Sequence, residues 1–206
     1  MPTPLPWSPS ALSDYKNCPY QYYRKRVHVT RSAIGQAFAD NEFLRVGAFE
    51  INNRNDVDML DLLNPSQRAQ FFDEQYDLMS GGGTPNKQAV DHMGEQFERT
   101  GSNAPIIEAC QKNFGVLFTD GFSNSWNNAG VGNTDGGSGS ELQGTFLADS
   151  ESNTMADIAY HYYHRNLRPD LEPGLVPTPT GCDSANPSLE LDCNDDLHMN
   201  FFPAML

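Results

Sequence analysis

The run NFGVLFT at 113–119 constrains the fold of this chain more than any other stretch. It is short, apolar on both faces, and closed at once by Asp120 and Gly121. A strand apolar on both faces needs cover on both, which describes an inner strand of a parallel sheet between helical layers. Helical periodicity supplies the layers. Tyr23, Val27, Ile34 and Phe38 mark a helix over 22–40. Pro65 behind Asn64 opens one over 65–79, with Phe71, Phe72, Gln75, Tyr76 and Met79 as its broad face. Ala89, Val90, Met93 and Phe97 form the stripe of a third over 86–99. A fourth covers 152–165, with Ser152 as N-cap and Met155, Ile158, Ala159, Tyr162 and Tyr163 as its apolar side. LRVGAFEI at 44–51 reads as a second strand, parallel to 113–119 and its neighbour. The expected fold is α/β: a doubly wound, mostly parallel sheet with flanking helices. HMNFF near the C-terminus reads as a further buried strand.

Composition shapes what surrounds that core. Hydrophobic residues make up 38% and charged residues 19%, so Asn, Gly, Ser, Pro and Thr fill long polar loops. Residues 1–21 are an irregular, Pro- and Ser-rich lead. The domain proper spans 22–206, with a Gly-, Ser- and Asn-rich loop at 121–150 and a cysteine loop at 180–194. A connection as long as 121–150 is functional or mobile. The net charge of -14 is uneven, since residues 55–206 carry 6 basic against 23 acidic side chains. That balance excludes a generic nucleic-acid binder, which needs clustered Lys and Arg. Apolar runs reach only about five residues, too short for a membrane-spanning helix. The opening PTPLPWSPS has neither the basic nor the apolar region of a secretory signal peptide. With an apolar run at its other end, the chain is expected to be a piece of something longer.

Few residues carry chemistry. No C-x-x-C, P-loop, G-x-S-x-G or G-x-G-x-x-G occurs, and His161 and His164 lack a zinc-site context. Cys182 and Cys193 lie in a loop-rich stretch and read as a local disulfide; the other reading is two thiols in a reducing compartment. Cys18 and Cys110 have no evident partner. Asp120, at the carboxyl end of the best strand, is either a turn cap or a ligand for a hard divalent cation. Thr84 in GGGTPN either caps the helix that follows or offers its hydroxyl to a metal.

Two family resemblances bear on function. Residues 8–27, SPSALSDYKNCPYQYYRKRV, resemble the opening of RecB-type PD-(D/E)xK nucleases, but no E-x-K follows to hold Mg²⁺. From Tyr22 onward the blocks YYRKRVHVTRSAIGQAFAD, LRVGAFEINN, FFDEQYDLMSGGGTPNKQAVDHMGEQF, CQKNFGVLFTDGFSN, SNTMADIAYHYYHRNLRPDL and HMNFF occur in the order found in PilY-type type IV pilus tip-associated adhesins. They resemble that family's von Willebrand factor A-like domain. The resemblance implies an exported, non-enzymatic adhesion module at a pilus tip, the cell surface or the outer membrane. Its roles would be pilus assembly, surface attachment and twitching motility, and its partners pilus subunits or a host or abiotic surface. It also implies a metal-ion-dependent adhesion site, in which Thr84 and Asp120 match the Thr and Asp elements. The D-x-S-x-S element is absent, so Mg²⁺ or Ca²⁺ would be held weakly at an incomplete site. The family's C-terminal β-propeller is absent too, and the chain is expected to be an internal slice of a larger adhesin. The rival readings are a nuclease fragment and a structural secreted domain without ligand.

Overall fold

The computed structural model describes residues 19–78, 81–119, 123, 130–182 and 191–205. Cys18, Asp120 and most of the nuclease-like run at 8–27 therefore lie outside the described residues, or in a stretch whose side chains are not described. The chain divides into two units, one built from residues before 47 and from 60–82, the other from 47–59 and 83–205.

The first unit pairs helix α1, Pro19–Ala39, with helix α2, Pro65–Asp77. The Asn64 side chain caps α2 by accepting from the Ser66 and Gln67 amides, with Pro65 at the first helical position, as its sequence predicts. Phe71 and Gln75 are the buried members of the expected face, whereas Tyr76 is exposed. Ring contacts hold the pair: Phe38 meets Phe71 edge-on at 5.1 Å. The Arg68 guanidinium, on α2, donates to the Phe38 and Ala39 carbonyls and so satisfies the C-terminal end of α1.

The expected strand over 44–51 is corrected here. Only Arg45–Val46 (β1) is a strand, and it pairs antiparallel with Leu60–Asp61 (β2), not with 113–119. Gly47 is the physical break. A Cβ there would lie 2.3 Å from the Val57 side chain, so the backbone passes too close to its neighbours to continue a pleat. Glu50 and Asn53 then close a tight bridge.

The second unit contains helix α3, Asn86–Phe97; strand β3, Asn113–Thr119; helix α4, Met155–Tyr163; and strand β4, Met199–Met205. β3 and β4 pair in parallel, from Asn113 opposite Met199 to Thr119 opposite Met205. The strand character of 113–119 and the terminal strand follow the sequence, but the parallel neighbour is β4 and not 44–51. With a single paired edge among the described residues, and with Phe114 and Val116 exposed, β3 is not the inner strand between two helical layers that its apolar run predicts. One face of β3 is buried through Asn113, Gly115, Leu117 and Thr119. It packs into a core with Ala89, Val90, Ile106, Ile158, Tyr162, Leu197 and Met199. The other face carries exposed Phe114 and Val116, and beside them Phe202 of β4, with the two Phe rings 6.2 Å apart. The core helices touch through a glycine, since a Cβ on Gly94 would sit 2.3 Å from the Tyr162 ring. Behind α4, the buried Arg168 forks onto Asp170 at 2.7 Å and donates to the Ile106 carbonyl.

Cys182 and Cys193 form the expected disulfide, with Cα atoms 5.4 Å apart. Beside it Asp192 accepts from the Tyr163 hydroxyl at 3.3 Å and from Asn200 at 3.0 Å, and its carboxylate lies 3.1 Å from the His198 ring. Cys110 is an exposed free thiol. Among the described residues no helix is long and apolar enough to cross a membrane.

Candidate functional site

Thr84 lies half-buried in the loop that enters α3. Gly82 adopts a φ of 82°, in the left-handed region that glycine permits. The Asn52 amide donates to the Gly83 carbonyl at 2.8 Å and the Asn86 amide to the Thr84 carbonyl at 2.9 Å, so this loop is held from both sides. Thr84 is not the helix cap. That position belongs to Pro85, which makes no side-chain capping bond, and α3 begins at Asn86. The cap reading of Thr84 is thereby corrected: the loop places it one residue too early.

Asp120 follows the last residue of β3 and lies outside the described residues. The donors that the resemblance assigns to Mg²⁺ or Ca²⁺ are thus one hydroxyl and one carboxylate. A divalent ion of this kind takes about six oxygens or more. Among the described residues no three His, Cys, Asp or Glu side chains converge on a metal position.

A dense hydrogen-bonded cluster lies in residues 130–150 and in the start of α4. Its centre is Asp157, which is fully buried. One carboxylate oxygen accepts from the Thr134 amide at 2.7 Å and the Asp135 amide at 3.4 Å. The other accepts from the Thr154 amide at 2.8 Å and its hydroxyl at 2.9 Å. The Thr134 hydroxyl donates to the Asp157 carbonyl at 2.6 Å. Asp157 therefore closes a capping box with Thr154 and clasps the loop to the same turn. Burial alone would raise its carboxyl. The bonds from the Thr154 and Thr134 amides, the Thr154 hydroxyl and the Asp135 amide outweigh burial and hold it below the usual carboxylate range.

Further bonds complete the loop. Asn153, in the left-handed region at φ 58°, exchanges bonds with Gly132, and Asn133 reaches the Asp149 carbonyl at 2.9 Å. The Ser140 hydroxyl donates to the Asp135 carbonyl at 2.7 Å. Ser152 is not the N-cap, as Thr154 takes that place and α4 begins at Met155. The Thr-x-x-Asp signature of 154–157 was present in the sequence and names both residues.

Fold and clasp together define an α/β module: two helices packed on one face of a parallel strand pair, with a Gly- and Ser-rich loop fastened to a helix N-terminus by a buried carboxylate. Comparison with known proteins places that module. The type IV pilus biogenesis factor PilY1 of Pseudomonas aeruginosa strain PAK is 32% identical over 202 aligned positions, covering 83% of this chain and 17% of the relative. PilY1 of strain PAO1 is 31% identical with the same coverage, and that of strain UCBPP-PA14 is 29% identical over 77% of the chain. The aligned part of the chain is a PilY-type segment. The chain spans about a sixth of the length of these relatives (17%). No family model matches the chain. No solved structure matches it either.

Proposed function

We propose that the chain is a von Willebrand factor A-like module of a type IV pilus tip-associated protein, acting in pilus assembly and, through surface contact, in attachment and twitching motility. The observation that carries this is the alignment over 83% of the chain to proteins named as type IV pilus biogenesis factors. The structure lends support in one respect. β3 is parallel to β4, is covered by helices on one face, and bears apolar side chains on the other. Parallel strands with helical cover are the elements of a doubly wound sheet, and the exposed apolar face is what a second helical layer would have to cover. The module is non-enzymatic and exported, and its partners are pilus subunits or a host or abiotic surface. Thr84 and Asp120 are remnants of a metal-ion-dependent adhesion site, with Mg²⁺ or Ca²⁺ held only weakly.

The test is an in-frame removal of this segment from the chromosomal gene of the source organism, with sheared surface pili and attached cells counted separately. Loss of surface pili assigns an assembly role, and normal pili with reduced attachment an adhesive one. Normal piliation, attachment and twitching together would sink the proposal.

A further inference from the structure

We propose that the open pocket lined by the 130–150 loop, α4 and β4 binds an organic cation: an alkylammonium head on an apolar chain. The inference stands independently of the pilus role. The cavity measures about 450 Å³. Its walls are apolar, with Leu142 and Leu147 from the loop, Ala159, Tyr160 and Tyr163 from α4, and Phe201 from β4. One acidic side chain lines it, Asp135, which is 1% exposed. The Asp135 Oδ1 accepts a long bond from the Asp149 amide, 3.5 Å, and the carboxylate also feels the Gly136 amide. Its Oδ2 is buried and has no hydrogen-bond partner among the described residues.

A buried carboxylate oxygen without a donor is costly, and native folds rarely leave one. Burial first, and then the charges of Asp157 and Asp149, push the Asp135 carboxyl up from its usual range. The same neighbouring charges make the pocket attractive to a cation, as does the acidic surplus of residues 55–206. The walls decide which cation. A hydrated metal ion finds no second carboxylate converging on it. An alkylammonium ion sets its charge on Asp135 and its chain against Leu142, Ala159 and Phe201, with the Tyr160 and Tyr163 rings able to face the cation. Such a group reaches the pocket either as a free small amine or as a lysine side chain of a partner protein.

The experiment titrates the 206-residue chain with four probes, read by calorimetry and by amide shifts of the loop and α4. The probes are hexylamine, hexanol, hexanoate and the blocked tripeptide acetyl-Ala-Lys-Ala-amide. Hexylamine should bind saturably and about tenfold or more tighter than hexanol, because only it forms a charge-assisted bond with Asp135. Hexanoate should not bind. Asp135→Asn should bring the ratio of hexylamine to hexanol near one. Ala159→Leu, which fills the cavity and keeps the carboxylate, should abolish both. Binding of the tripeptide as well assigns the site to a partner's lysine; binding of hexylamine without it assigns a free amine. Equal binding of hexylamine and hexanol, an undiminished preference in Asp135→Asn, or silence of all probes overturns the proposal.

Discussion

Asp157 concentrates more donors than any other side chain of the loop and α4, and three expectations belong at the residue scale with it. Asp157→Ala leaves the half-buried Thr134 and Thr154 amides without their acceptor. It should cost about 3 kcal/mol, seen as a shift of the urea midpoint, and should open 130–150 to proteases. A loss under about 1 kcal/mol would mean that the loop stands without its clasp. Because the native Asp157 carboxyl is held low, its contribution is complete above the ordinary carboxylate range. It fades as pH falls through the lowered native value. His161 acts earlier on the same descent. Burial first, then the Arg165 and His164 charges, push its imidazole from 6.5 down to about 4. Between those values the unfolded chain takes up the proton and the native chain does not. Stability should therefore decline as pH falls from about 6.5 toward 4. His161→Gln should flatten that part of the profile, and an unchanged urea midpoint between pH 7 and pH 5 in the parent chain would remove the argument. For Thr84 and Asp120, calorimetry should show no saturable Mg²⁺ or Ca²⁺ binding below about the millimolar range, since two donors of about six leave the rest to water. Tight binding abolished by Asp120→Ala would mean that another carboxylate completes the site.

At the scale of elements, local signals were legible and distant pairing was not. Asn64 and Pro65 announce α2 because a cap and a fixed φ act within one turn. The α3 stripe is legible for the same reason: Ala89 and Val90 are fully buried. β1 was misread because LRVGAFEI fits a strand by composition, while its two-residue partner, Leu60–Asp61, sits beyond a polar stretch without strand character. Asp157 could have been found through Thr154, whereas the burial of Asp135 could not, as nothing in NTDGGSGS distinguishes a buried carboxylate from a solvated one. Asp120, the site residue on which the resemblance leans most, lies outside the described residues. Helix packing yields a prediction of its own. Gly94→Ala gains helix propensity of about 1 kcal/mol but drives a methyl into the Tyr162 ring. The variant should still be less stable, by about 1–2 kcal/mol in thermal or urea unfolding. The Cys182–Cys193 crosslink closes a loop of 11 residues' separation. The double variant Cys182→Ser, Cys193→Ser should lose about 3 kcal/mol, and full alkylation of both residues in the non-reduced parent would refute the bond.

At the scale of the whole molecule, charge and connectivity matter more than any one contact. The net charge of -14 favours cationic partners along its acidic part. Connectivity bears on how the second unit comes together in time. Asn113 and His198 meet across 85 positions of sequence at the head of the parallel strand pair. α3 and β3 are close neighbours in the chain, so their contact closes a short loop and forms early. β4 must wait for the loop, for α4 and for the stretch around the disulfide. Folding is thus expected to be ordered, with the α3–β3 contact in the rate-limiting barrier and the β4 ladder after it. Val90→Ala should slow refolding, whereas Met199→Ala should chiefly speed unfolding, both read from the two arms of a denaturant chevron. Until β4 arrives, the β3 edge that it will occupy is open. A chain of this design carries an unpaired strand edge through the slowest part of its folding, and there it depends most on being kept from other chains.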